Sequence, residues 1–368
     1  MRWEKYRQFT HKFSWLLLTT LSLTITNIAG DNVAVVPALA VVLRHNIFPI
    51  IFVAYFIVGS CLAGIAAWIG AVTRVESPVG YSGRSSSRMI AWAIICVCIP
   101  ASALTGGIFS GALFASVLNI PQTYGTLIGL AIYTSFVLYR EKKHISWANI
   151  VSFICVPMFI YGCLHENYVT HIFRQTFIIP PLEGWGIIWA LVGYNAGGLR
   201  PLLLAETGKY LGCRWTSVLM AVAAKWLEGL ITLLFAYVVV NTEVAGMLPL
   251  GQIFELQWGS LGRYICAIGF SGLFFSCMVP AMAVNAHCIK QLAGGTYTYA
   301  LWCSMLVVFS STFLGIEKLL WILSITGMGA AMMMIYIFWQ VLNRDDRHSK
   351  VIFSGRDASG ASDARSLT

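Results

Sequence analysis

Charge is scarce in this 368-residue chain: only 11% of its residues are Asp, Glu, Lys or Arg. A soluble domain averages about 25%, so the composition excludes an ordinary water-soluble fold. Paired thiol motifs are missing as well. None of the ten cysteines forms a CxxC pair or joins a Cys/His cluster with metal spacing. Cysteines such as Cys96, Cys98, Cys155 and Cys277 lie in or beside apolar runs and read as small packing residues. No Gly-rich phosphate loop stands out, and no Ser/His/Asp set. The seven histidines are scattered, mostly at loops. An enzyme, metal-dependent or not, is therefore not expected, and neither is a bound cofactor.

Hydrophobic residues, by contrast, make up 58% of the chain, and they come in long runs. A helix needs about 20 apolar residues to cross a bilayer. Runs of that length recur at approximately 14–43, 48–73, 88–117, 122–139, 146–164, 185–211, 215–240, 259–288, 297–315 and 318–342. Their length rules out a transmembrane barrel, whose signature is a weak alternation over about ten residues. The expected class is all-α, a polytopic membrane protein of about ten transmembrane helices. The lipid bilayer is its first partner.

The formal charge of +9 would suggest nucleic acid in a soluble protein. Here its distribution points elsewhere, and no nucleic-acid partner is expected. Arg2, Lys5, Arg7 and Lys12 precede the first run. Further Lys and Arg residues fill every second loop and the C-terminal tail, whereas Arg44, Arg174, Arg263 and Lys318 are the few on the other side. By the positive-inside rule both termini are cytoplasmic, in a multi-pass protein of the cell (inner) membrane. Residues 1–13 read as a cytoplasmic tail before a retained first helix rather than as a cleaved signal, because the apolar run is too long. The remaining divisions are a first five-helix repeat over 14–168, an external loop over 169–184, a second repeat over 185–342, and a polar, disordered cytoplasmic tail over 343–368.

Two of the apolar runs are interrupted, at matching places in the two halves. The first contains Asn27-Ile-Ala-Gly-Asp-Asn32, and the sixth contains Tyr194-Asn-Ala-Gly-Gly-Leu-Arg-Pro201. Gly and Pro cost about 1 and about 3 kcal/mol inside a helix, and they free backbone groups that lipid cannot satisfy. Interrupted helices paired in this way point to a transporter binding site, although kinks for tight packing would leave the same mark. The candidate solute-binding residues are Asn27, Ala29, Gly30, Asp31 and Asn32 with Tyr194, Asn195, Gly197, Gly198 and Arg200. Asp31 and Arg200 could form a buried ion pair or hold opposite ends of a zwitterion. Glu206 is a further candidate for coupling, or it snorkels to Lys209. Lys225 and Glu228 share one helical face, so a local i,i+3 pair competes with a proton-coupling role. Ser276 could serve a cation, or bond its own backbone.

Helices one and six broken, within two halves of five, resemble the leucine-transporter fold of the amino acid–polyamine–organocation superfamily. The nearest likeness is to YkvI-like bacterial membrane proteins; branched-chain amino acid carriers and spore-germination permeases are more distant. The matching stretches are Ile145–Leu164, Ala190–Gly212 around Tyr194-Asn195, and Ser271–Asn285. The resemblance implies a 5+5 inverted repeat and a secondary transporter, a symporter of the amino acid transport type. Helices one, two, six and seven would move against the rest. It implies solute contact from Asn27 to Asn32 and from Tyr194 to Gly198, and a cation near the Ala29 carbonyl and Ser276.

Two departures matter. Gly30-Asp31 stands where many relatives have a Gly-x-Gly element, so an amine, a cation or a zwitterion held by its amino group is favoured over a bare carboxylate. Cys277 stands where a sodium site would have a second hydroxyl, and sulfur is a poor ligand for a hard cation. The coupling ion, Na+ or H+, is left open. The expected function is secondary active transport of a small amino-acid-like or amine solute. The competing expectation is a receptor-like or complex-forming protein on the same fold. In either case a homo-oligomer or a partner membrane protein is a candidate partner.

Overall fold

The computed structural model describes residues 31–73, 84–139, 144–164, 184–196, 213–242, 244 and 246–360. Side chains of 31, 84–87, 144–153, 195–196 and 343–360 lie outside that description. Helix dominates, with no strand among the described residues. In chain order, α1 is a π-helical turn, Asp31–Val35, leading into the α-helix Val36–Leu43. A 3-10 turn, Arg44–Asn46, joins it to α2, built from Ile47–Ile51, a π-helical stretch Phe52–Gly59, and Ser60–Thr73. α3 likewise comprises Arg84–Ser102, a π-helical stretch Ala103–Phe109, and Ser110–Leu118. Next come α4 (Gln122–Tyr139), α5 (His144–Leu164), α6 (Gly184–Ala196), α7 (Arg214–Thr242), α8 (Pro249–Ala293), α9 (Tyr297–Thr312) and α10 (Gly315–Gly360).

Among the described residues, five stretches are long and apolar enough to cross a bilayer: Asn32–Thr73, Arg88–Leu118, Arg214–Thr242, Pro249–Ala293 and Gly315–Leu342. The outer surface is apolar too, with Ile154, Leu219, Ile268 and Met332 all exposed. Water would penalise so large an apolar exterior and lipid would not. The architecture is that of an all-α protein suited to a membrane.

Two boundaries differ from the sequence expectation. α8 begins at Pro249 rather than near 259, because Pro suits a first helical turn. The chain then bends at Gly259, whose φ of 59° lies in the left-handed region that glycine tolerates. This lays Phe254 against Phe159 of α5, with ring centroids 5.3 Å apart. The other difference is in α10, whose helical backbone continues past Leu342 into the stretch expected to be disordered. Extending a formed helix costs far less than starting one.

Some neighbour relations recur when helices are exchanged five places along the chain, whereas the extensive α6–α10 contact has no α1–α5 counterpart of like extent among the described residues. α3 packs on α4 as α8 packs on α9, and α5 on α8 as α10 on α3. α1 touches α7 as α6 touches α2, and α10 touches α2 as α5 touches α7. α2 lies against α7 and α3 against α8, which are the contacts such an exchange leaves in place. α6 and α10 approach at glycines: a Cβ on Gly193 would come 2.6 Å from both the Gly327 Cα and the Leu323 carbonyl oxygen.

Candidate functional site

Among the described residues, π-helical stretches open α1 and interrupt the regular i→i−4 ladder of α2 and α3. Such interruptions occur often at functional sites. The one in α3 leaves carbonyls that α4 covers: Thr126 donates to the Gly107 carbonyl at 2.9 Å, and Gln122 to that of Ile108 at 3.2 Å. The stretches in α1 and α2 instead bring side chains to a buried charge.

That charge is on α7. Lys225 Nζ and Glu228 Oε2 are 2.8 Å apart, three residues along one helical face, and the side chains are 4% and 0% exposed. The carboxylate also reaches across to α1, where Asn32 Nδ2 donates to Glu228 Oε1 at 3.1 Å. Asn32 is completely buried. From α2, the Tyr55 hydroxyl donates to Asn32 Oδ1 at 3.0 Å. The Lys225 ammonium lies over the Tyr55 ring, 4.7 Å from its centroid, a distance at which the ring quadrupole attracts a cation.

Local sequence makes this arrangement possible. Lys225 and Glu228 meet because residues three apart on a helix are neighbours. Tyr55 and Asn32 each sit in a π-helical turn, which changes the face that a side chain presents. Gly59 leaves room for the lysine stem: a Cβ there would lie 2.9 Å from Lys225 Cε. The Thr232 hydroxyl bonds to the Glu228 carbonyl at 2.8 Å, one turn along the same helix. The hydrogen bonds run in one direction, from Tyr55 to Asn32 and on to Glu228, and the carboxylate is where donors from α1 and α7 converge. Charges held within an apolar bundle are costly and usually serve a pathway or a switch.

A second buried polar layer lies between α3 and α8. Asn285 Nδ2 donates to Ser102 Oγ at 3.4 Å, and Ser304 of α9 donates to the Met282 sulfur at 3.8 Å. Asn285 Oδ1 and Thr105 Oγ1 have no hydrogen-bond partner among the described residues. Tyr133 and Ser110 join α4 to α3 at 2.6 Å.

Of the residues singled out in the sequence, Asn32, Lys225 and Glu228 come together. Tyr194 is buried in α6. Ser276 is half-buried, and its hydroxyl donates to the Leu273 carbonyl of its own helix at 2.8 Å. Asp31 starts α1 and Asn195 lies near the end of α6, but their side chains fall outside the description. Asn27, Ala29, Gly30, Gly197, Gly198, Arg200 and Glu206 lie outside the described residues. Tyr55 and Gly59 escaped the sequence reading. Their only signal was a lone hydroxyl-bearing aromatic and a glycine in a long apolar run, and neither is distinctive. Among the described residues, no group of three or more His, Cys, Asp or Glu could hold a metal ion.

No family model matches the chain, and no curated protein matches it either.

Proposed function

We propose that this protein is a secondary active transporter of a small amino-acid-like or amine solute, working by alternating access from the cell (inner) membrane. The observation that carries the reading is the buried Lys225–Glu228 pair, tied to the π-helical turn of α1 through Asn32. A structural protein of the bilayer gains little from such a pair, because an apolar core of the same volume is as stable or more so. A transporter, by contrast, needs polar links between helices that can break and re-form.

The broken segment that runs into α1 and the one following α6 supply the solute site in this reading, with Asn27 to Asn32 on one side and Tyr194 to Arg200 on the other. Asp31 attracts the amino group, and Arg200 receives a carboxylate if the solute carries one. Glu228, Lys225 and Glu206 are candidates for coupling, beside the Ala29 carbonyl and Ser276. The exchange of neighbour relations between α1–α5 and α6–α10 supports two five-helix repeats of the leucine-transporter type. With ten crossings, an odd number in each half inverts the second repeat, and both termini are cytoplasmic.

The test is uptake into proteoliposomes, screened over amino acids and amines with a sodium gradient, a proton gradient or neither. Accumulation of a solute by wild type, lost in Asp31→Asn and in Arg200→Ala, is the expected result. A solute that binds without crossing would refute transport and leave a sensor. Uptake that both variants retain would displace the proposed site.

A further inference from the structure

We infer that Lys225 is a tethered cation: its ammonium occupies the junction of α1, α2 and α7 in place of an ion from solution, so this junction takes no sodium. The inference names the ion at the proposed transporter's junction, and only its consequence for coupling rests on that reading. It stands on how the junction is filled. Glu228, wholly buried, supplies a formal negative charge, and Lys225 neutralises it at 2.8 Å. The other carboxylate oxygen accepts from Asn32. Above the ammonium lies the Tyr55 ring, a surface suited to an organic cation rather than to the oxygen cage that sodium requires. Beside the stem, Gly59 lacks the Cβ that would come 2.9 Å from Lys225 Cε. Carboxylate, amide, aromatic face and glycine gap together form a receptacle for a lysine.

Because this cation is attached to α7, it cannot leave with the solute. Its charge leaves Glu228 and the Tyr55 ring by movement of the lysine stem or by a proton, not by loss of an ion. Removing the side chain leaves a buried carboxylate beside a space the size of the stem, and that space should accept a small cation from solution.

The experiment is thermal unfolding of the full chain in detergent, in sodium chloride, methylammonium chloride or choline chloride at equal ionic strength. It needs no solute, so its failure and the failure of the uptake assay are distinguishable. Wild type is expected to unfold at the same temperature in all three salts. Lys225→Ala is expected to unfold about 5 °C lower in choline, and to regain at least about half of that loss in methylammonium and less of it in sodium. Lys225→Ala/Glu228→Gln, which lacks the carboxylate, is expected to ignore the choice of salt. If Lys225→Ala does not fold, Lys225→Gln takes its place, because it keeps a polar stem without the charge. Sodium stabilisation of wild type that disappears in Glu228→Gln would overturn the inference. So would a lysine variant indifferent to every small cation.

Discussion

Lys225 and Glu228 should behave as one unit rather than two residues. Two unit charges 2.8 Å apart attract by about 6 kcal/mol at an effective dielectric constant of about 20. Taking both ions out of water costs a comparable amount, so the intact pair contributes little net stability. Removing one partner is different, because it strands the other: Lys225→Met leaves a carboxylate with 0% exposure, at a cost of about 3–5 kcal/mol. Glu228→Leu strands an ammonium against the Tyr55 ring, at a similar cost. Together the substitutions leave an apolar contact with no stranded charge of the pair, so the double variant should fall well below the roughly 6–10 kcal/mol sum. The assay is a double-mutant cycle on unfolding in detergent, followed by tryptophan fluorescence. Costs that simply add, within about 0.5 kcal/mol, would refute a coupled buried pair and mean that water reaches the site.

Four further outcomes are expected. Gly59→Ala brings a Cβ within 2.9 Å of Lys225 Cε and 2.6 Å of the Ala54 carbonyl oxygen; it should cost about 1–3 kcal/mol, and less in a Lys225→Ala background, where only the backbone clash remains. Gly193→Val should separate α6 from α10 and lower the unfolding midpoint, since its Cβ meets backbone rather than a flexible side chain; an unchanged midpoint would disprove the close approach. At the start of α7, the exposed Cys213 thiol is held below its ordinary value by hydrogen bonds from the Thr216 hydroxyl and backbone N–H. A depressed value means thiolate persists to lower pH, so the maleimide labelling profile of Cys213 should move to higher pH in Thr216→Val. A membrane-impermeant maleimide should reach Cys213 in inverted vesicles and not in right-side-out ones; the reverse would overturn the proposed orientation.

Much of the fold was legible because a bilayer imposes a length on every apolar run. The end of the apolar stretch of α10 can be read directly from the polar run Asn343-Arg344-Asp345-Asp346, since loss of hydropathy is a local property. The start of α8 was misplaced because Gln252 and Glu255 make 249–258 read as a polar loop. Burial of Ile253 and Phe254 against α5 makes it helix instead. The Lys225–Glu228 pair was legible for the same reason as the long runs, because i,i+3 neighbours follow from helix geometry alone.

Composition, hydropathy and spacing, all properties of neighbouring residues, determined that this chain is helical, apolar and marked by charges on one face of its seventh apolar run. What Glu228 touches was decided only in three dimensions. Asn32 is 196 residues away in sequence, and no local pattern carries that distance. The π-helical turns in α1 and α2 rotate Asn32 and Tyr55 towards α7, and helical periodicity counted at 3.6 residues per turn does not register such a change of face. The packing of α1 and α2 on α7 therefore turned an ordinary helical ion pair into a buried junction of three helices.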